Sequence, residues 1–140
     1  MFLGVEELQG ALRSKAVYRS AEQEVMRGQK SVNYACDFSR VDDGSDVGSL
    51  MVTAAPGNTA PEALLGVAED QCLGEGQAKP LPDAGDGAFW CMSEDLDTLV
   101  ATVKRSRGEA RIAYLTLAGS PLSANIPGYG ELAKLLGGRL

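Results

Sequence analysis

Two apolar runs, "TLVATVKR" at residues 98–105 and "ARIAYLTLAG" at 110–119, are separated only by "SRGE". A parallel pair would need a crossover of a dozen residues or more, so this joint can only turn the chain back on itself. Leu99, Ala101 and Val103 alternate along the first run, and Ile112 and Tyr114 along the second, as expected of antiparallel neighbours. The polar joint "SEDLD" attaches "GAFWCM" in the same way. Upstream, "SVNYACDFSR" places Val32, Tyr34, Cys36 and Phe38 on one face and Asn33, Ala35 and Asp37 on the other. The turn-rich "VDDGSDVG" then leads into "SLMVTAA", completing a second hairpin.

Three helices frame these strands. Val5, Leu8 and Leu12 recur at helical spacing through "VEELQGALRSK", ending near Ser14–Lys15. In "NTAPEALLGVAEDQC", Thr59 and Glu62 read as a capping box with Pro61 in the first turn. Leu64, Leu65, Ala68 and Cys72 form its apolar stripe, and Gly74 and Gly76 end it. Leu132, Leu135 and Leu136 mark a C-terminal helix in "GYGELAKLLGGRL". The stretch "AVYRSAEQEVMRGQ" fits neither period, is broken by Gly28, and reads as mostly irregular. The expectation is an α+β fold: one domain over residues 1–140, with a single antiparallel sheet of about five strands and N-terminal, central and C-terminal helices packed on it.

Composition limits the chemistry. The chain has 140 residues, enough for a core without metal or disulfide support. It contains no histidine, which removes Ser-His-Asp and Cys-His nucleophile systems, His-ligated zinc and His-based pH switching. The net charge of −6 opposes nucleic acid, and "KRSRGEAR" reads as a solvated hairpin tip. No apolar run reaches the ~20 residues of a membrane span, and "MFLGVEELQG" lacks the basic and apolar regions of a signal peptide. Asp42, Asp43 and Asp46 do not follow calcium-loop spacing and belong to a solvated turn. No motif for a cofactor or a metal stands in the sequence.

The stretch "LPDAGDGAFWCM", residues 81–92, is the most distinctive. Pro80 and Pro82 impose extended backbone, Gly85 and Gly87 supply a tight turn, and the chain then runs into a strand. Phe89 and Cys91 share one face of that strand and Trp90 takes the other. A phosphate loop is excluded by the missing Lys-Ser/Thr and by two aspartates that would repel an anion. Asp83 and Asp86 read as turn residues capping their own backbone, with an acid–base pair as the alternative. Trp90 faces either a helix layer or an open pocket, and with Tyr129 in "IPGYGEL" it is the candidate ligand contact.

Cys36, Cys72 and Cys91 include no C-x-x-C pair. Cys72 closes a helix lying between the two cysteine-bearing strands, so a bridge from it would fix that helix to the sheet. Cys91, nineteen positions on, is the favoured partner. Cys36–Cys72 competes, and three buried reduced thiols are the cytosolic alternative.

The "VEELQGAL" helix, the "YACDF" strand, "SLMVTAAPG", "LPDAGDGAFW", "RGEARIAYLTLAG" and the closing "ELAKLLGGRL" together resemble uncharacterised secreted lipoproteins of actinobacteria. These in turn are similar to mycobacterial envelope lipoproteins and to the sensor domains of mycobacterial receptor kinases. The resemblance implies an exported extracellular or cell-envelope domain without catalysis, anchored by lipid in its precursor. Such a domain would bind a small apolar ligand or an envelope protein. The alternative is a hydrolase-like or thiol-redox enzyme using Asp83, Asp86 or a free cysteine.

Overall fold

The computed structural model describes residues 2–22, 32–55, 58–74 and 76–140. The elements run α1 (Val5–Ala11), β1 (Tyr18–Glu22), β2 (Val32–Arg40), β3 (Asp46–Ala55), α2 (Pro61–Glu69), β4 (Lys79–Pro80), β5 (Gly87–Met92), β6 (Thr98–Ser106), β7 (Glu109–Leu117), a 3-10 turn (Ser123–Asn125) and α3 (Ile126–Arg139). All strands pair antiparallel in one sheet of order β1-β2-β3-β7-β6-β5-β4. The expectation of about five strands is therefore corrected to seven. The two additions are the edges. Five residues of the stretch read as irregular pair with β2, from Tyr18 opposite Arg40 to Glu22 opposite Cys36. Lys79 and Pro80 pair with Trp90 and Phe89. Proline lacks the N–H of a ladder donor and is tolerated in a sheet only at such an edge.

The β6–β7 hairpin turns through Arg107 and Gly108, both at positive φ (54° and 80°), as a two-residue turn of the primed type requires. Ala101 lies opposite Tyr114 and Val103 opposite Ile112, which sets the alternating residues of the two strands on a common face. The sheet has apolar side chains on both faces. The front carries Phe38, Leu50, Val100, Ala113 and Leu115 beneath α1 and α3; the back carries Phe89, Leu99, Ala101, Val103 and Ile112 beneath α2. Helix α2 spans β5–β7, and on the back of β1–β3 Arg19, Ala21, Asp37, Ser49 and Met51 are all exposed.

Helix ends differ from the expected punctuation. The first helix stops at Ala11, three residues short of Ser14, and Ser14 turns inward so that its Oγ accepts the Ala16 N–H at 3.1 Å. The N-cap of α2 is Ala60, with no side-chain cap, and Pro61 is its first residue. No Thr59 capping box forms; the Thr59 carbonyl instead accepts from the Arg105 guanidinium at 2.6 Å. Helix α2 stops at Glu69, before Gly74 and Gly76, because the chain turns there to bridge Cys72 to Ser93 beside β5. The break expected at Gly28 lies outside the described residues.

Two close approaches seat α3. A Cβ on Gly128 would lie 2.0 Å from the Ala11 carbonyl oxygen, so only glycine lets α3 cross the end of α1. A Cβ on Gly85, whose φ is +53°, would lie 2.4 Å from the Val103 carbonyl oxygen. The turn before β5 is thus pressed against β6, beside Gly137 of α3.

Candidate functional site

One end of the sheet gathers the chemically distinctive surface. The register puts the start of β1, the end of β2, the start of β3, the end of β7, the start of β6 and the end of β5 side by side. Five loops leave from this end, and each carries one aliphatic side chain into solvent. Val17, Val41, Leu73, Leu96 and Leu122 are between 42% and 62% exposed. Scattered exposed aliphatics are ordinary, but five grouped on neighbouring loops mark a contact surface.

Within that ring lie two recesses. The inner one, near 150 Å³, is bounded by Leu12, Tyr18, Val47, Leu117, Leu122, Asn125 and Tyr129, with Asp46 and Thr98 among its polar groups. The outer groove, near 280 Å³, is bounded by Leu73, Gln77, Lys79, Trp90, Met92 and Pro121. Ser120 lines both, so the loop 118–122 forms the partition. This loop is tied down along its length. The Ala118 N–H donates to the Val47 carbonyl at 2.8 Å, and the Gly119 N–H to the Asp97 carboxylate at 3.0 Å. Thr98 Oγ1 donates to the Gly119 carbonyl at 2.9 Å, and the Leu122 N–H reaches the Tyr129 hydroxyl oxygen at 3.3 Å.

Trp90 and Tyr129 meet at this partition. Their ring centroids are 5.6 Å apart with the planes tilted by 47°, a favourable offset geometry for aromatic rings. Tyr129 is 2% exposed and reaches the inner recess from the first turns of α3. Trp90 is half-buried and walls the outer groove. Its neighbours Phe89 and Cys91 point to the opposite face, against α2. Trp90 therefore meets both a helix layer and an open groove.

Cys72 and Cys91 are joined by a disulfide with a Cα–Cα separation of 5.8 Å. The adjoining backbone is also paired, Leu73 N–H donating to the Met92 carbonyl at 2.8 Å and Glu94 N–H to the Gln71 carbonyl at 3.0 Å. Together these fix the Leu73 wall of the groove to the strand that carries Trp90. Cys36 is a free thiol, buried on the front of β2.

Asp83 and Asp86 both lie on the turn that leads into β5. The Asp86 carboxylate accepts the Arg105 N–H at 2.7 Å and lies 3.7 Å from Lys104 Nζ, tying the turn to β6. Asp83 occupies a left-handed turn position, φ 59°. Strands β3, β7 and β6 stand between Cys36 on β2 and Asp86 at the start of β5. The Asp42–Asp46 turn is internally satisfied: Asp42 pairs with Arg40 at 2.7 Å, and Asp43 accepts from both the Ser45 N–H and its hydroxyl. Among the described residues no group of three His, Cys, Asp or Glu side chains could hold a metal ion, and no helix is long and apolar enough to cross a membrane.

Sequence reasoning missed Tyr18, Asn125 and the partition loop. Tyr18 lies in the stretch whose sequence reads as mostly irregular. Leu122, an isolated aliphatic in the polar run "GSPLSAN", was the available signal. No protein-family model matches the chain, and neither a curated protein nor a solved structure matches it significantly.

Proposed function

We propose that this chain is an exported cell-envelope domain that binds a small apolar ligand at the end of the sheet carrying Trp90 and Tyr129. The observation that carries the reading is the Trp90–Tyr129 pair, standing between two recesses inside a ring of exposed aliphatic side chains. Predominantly apolar walls with few polar groups are the common build of ligand sites, and the outer groove walled by Trp90, Leu73 and Met92 has that build. The Cys72–Cys91 disulfide supports the compartment, since such bonds persist in oxidising surroundings. The likeness to actinobacterial secreted lipoproteins agrees with both.

Trp90 is the only tryptophan, so its emission reports on the groove directly. Titration with the neutral apolar dye N-phenyl-1-naphthylamine should give saturable energy transfer from Trp90, weakened several-fold by Leu73→Glu. Transfer that fails to saturate, or that Leu73→Glu leaves untouched, would remove the reading. The five exposed aliphatics favour a second occupant of the same end, a protein partner with an apolar face. Glu94, Asp95 and Asp97 beside Leu96 would suit a partner with basic residues around that face.

A further inference from the structure

We propose that the inner recess binds a small, neutral cyclic molecule carrying one hydroxyl or carbonyl oxygen, which accepts hydrogen bonds from Tyr18 and Tyr129. This rests on the ligand-binding reading of the same end and specifies what enters beyond the partition loop.

Size sets the first limit. A recess near 150 Å³ has room for one six-membered ring, with Leu12, Val47, Leu117 and Leu122 as apolar walls and Asp46, Thr98, Ser120 and Asn125 as polar ones. The hydroxyls set the second. Tyr18 is 9% exposed, and its hydroxyl makes no hydrogen bond among the described residues. The Tyr18 side chain lines the recess, and its hydroxyl is not among the sealed, partnerless ones of the described residues. The Tyr129 oxygen accepts the Leu122 N–H, which leaves the Tyr129 proton to be donated. Two tyrosines therefore line a space the size of one ring, and an oxygen on that ring is the acceptor that suits two phenolic donors.

Charge sets the third. A carboxylate ligand would meet Asp46 in the lining and a chain of net charge −6. An ammonium has no lone pair to accept the tyrosine protons, and it would lie by Asn125 at the positive end of the 14-residue helix α3. A neutral oxygen avoids both penalties.

Phenol and toluene share a shape and differ by a hydroxyl in place of a methyl, so they isolate the proposed contact. Each would be titrated into the full, ¹⁵N-labelled chain while the amides of residues 118–129 are followed. Phenol should saturate and bind about fivefold or more tightly than toluene, the worth of one good hydrogen bond. Sodium benzoate should bind at least tenfold more weakly than phenol. Tyr18→Phe should cut the phenol preference to what the Tyr129 donor alone supplies and leave toluene unchanged, which also shows that the variant keeps its recess. Equal affinity for phenol and toluene, unsaturable phenol shifts, or a Tyr18→Phe variant that retains the full phenol preference would each overturn the assignment. Naphthylamine transfer to Trp90 separates the outcomes: if it persists while phenol fails, the end of the sheet binds apolar ligands and only the inner site is wrongly assigned.

Discussion

Thr102 is fully buried on the front of β6, between Ala88 and Ala113, with its Oγ1 sealed and without a partner. A buried hydroxyl left unpaired loses its hydration and gains nothing in return. Thr102→Val keeps the branched shape and removes the oxygen, so it should raise stability by about 1 kcal/mol, read as a higher urea midpoint at unchanged slope. A lowered midpoint would mean that the hydroxyl has a partner, most simply a bound water. Nothing local in "LVATVK" distinguishes Thr102 from a surface threonine, because its burial is conferred by a helix more than twenty residues downstream. The sidedness of Phe89, Trp90 and Cys91 was legible, since strand alternation is a local property. Thr59 was misread for the opposite reason: its sequence fits a cap, but Arg105 from a distant strand takes its carbonyl.

Among the elements, the long hairpins could be read because short polar joints permit only one return path, whereas the edge strands could not. Tyr18–Glu22 has no apolar alternation, as only its first residue is buried, and its strand character comes from pairing with β2. The two residues of β4 are too few to carry a period. The candidate site was legible to the same degree. Trp90 and Tyr129 stood out by residue type, while Tyr18 needed the fold to bring it alongside them. The disulfide joins the end of α2 to β5 and closes a loop of 19 positions, so its removal should cost about 3 kcal/mol in the chain-entropy account. Guanidinium unfolding of a Cys72→Ala, Cys91→Ala pair against the parent measures this. Thiol titration of the denatured, unreduced parent should find one free thiol, Cys36. Three would mean that the bond does not form in the protein as made.

Across the whole molecule, α1 and α3 are clasped where the chain begins and closes. Arg139 forms a two-pronged pair with Glu7 at 2.6 and 2.7 Å and also donates to the Phe2 carbonyl at 2.9 Å. The guanidinium, aided by the Gly4 N–H, lowers the Glu7 carboxyl from 4.5 to about 2. A carboxylate whose folded pKa is depressed stabilises the fold above its unfolded value and loses that contribution as pH falls toward the folded one. The clasp should therefore weaken between pH about 4.5 and about 2. Both side chains are about one-third exposed, so solvent screening limits its worth to about 1 kcal/mol or less. Denaturant midpoints of the parent and Glu7→Gln should differ at pH 6 and converge near pH 2. A constant gap across that range would show that the pair contributes nothing through its charge.

The centre of the sheet is a seam between strands far apart in the chain, β3 at 46–55 and β7 at 109–117. On either side, β2–β3 and β6–β7 are local hairpins that can zip within microseconds. The seam waits until the intervening chain has been brought round, and that loop-closure entropy weighs on the folding rate. Folding is thus the meeting of two preformed ribbons along one shared edge, and until they meet each ribbon shows an unpaired strand to its surroundings. In crowded surroundings that interval, more than the finished fold, is when the chain is most open to mispairing with copies of itself.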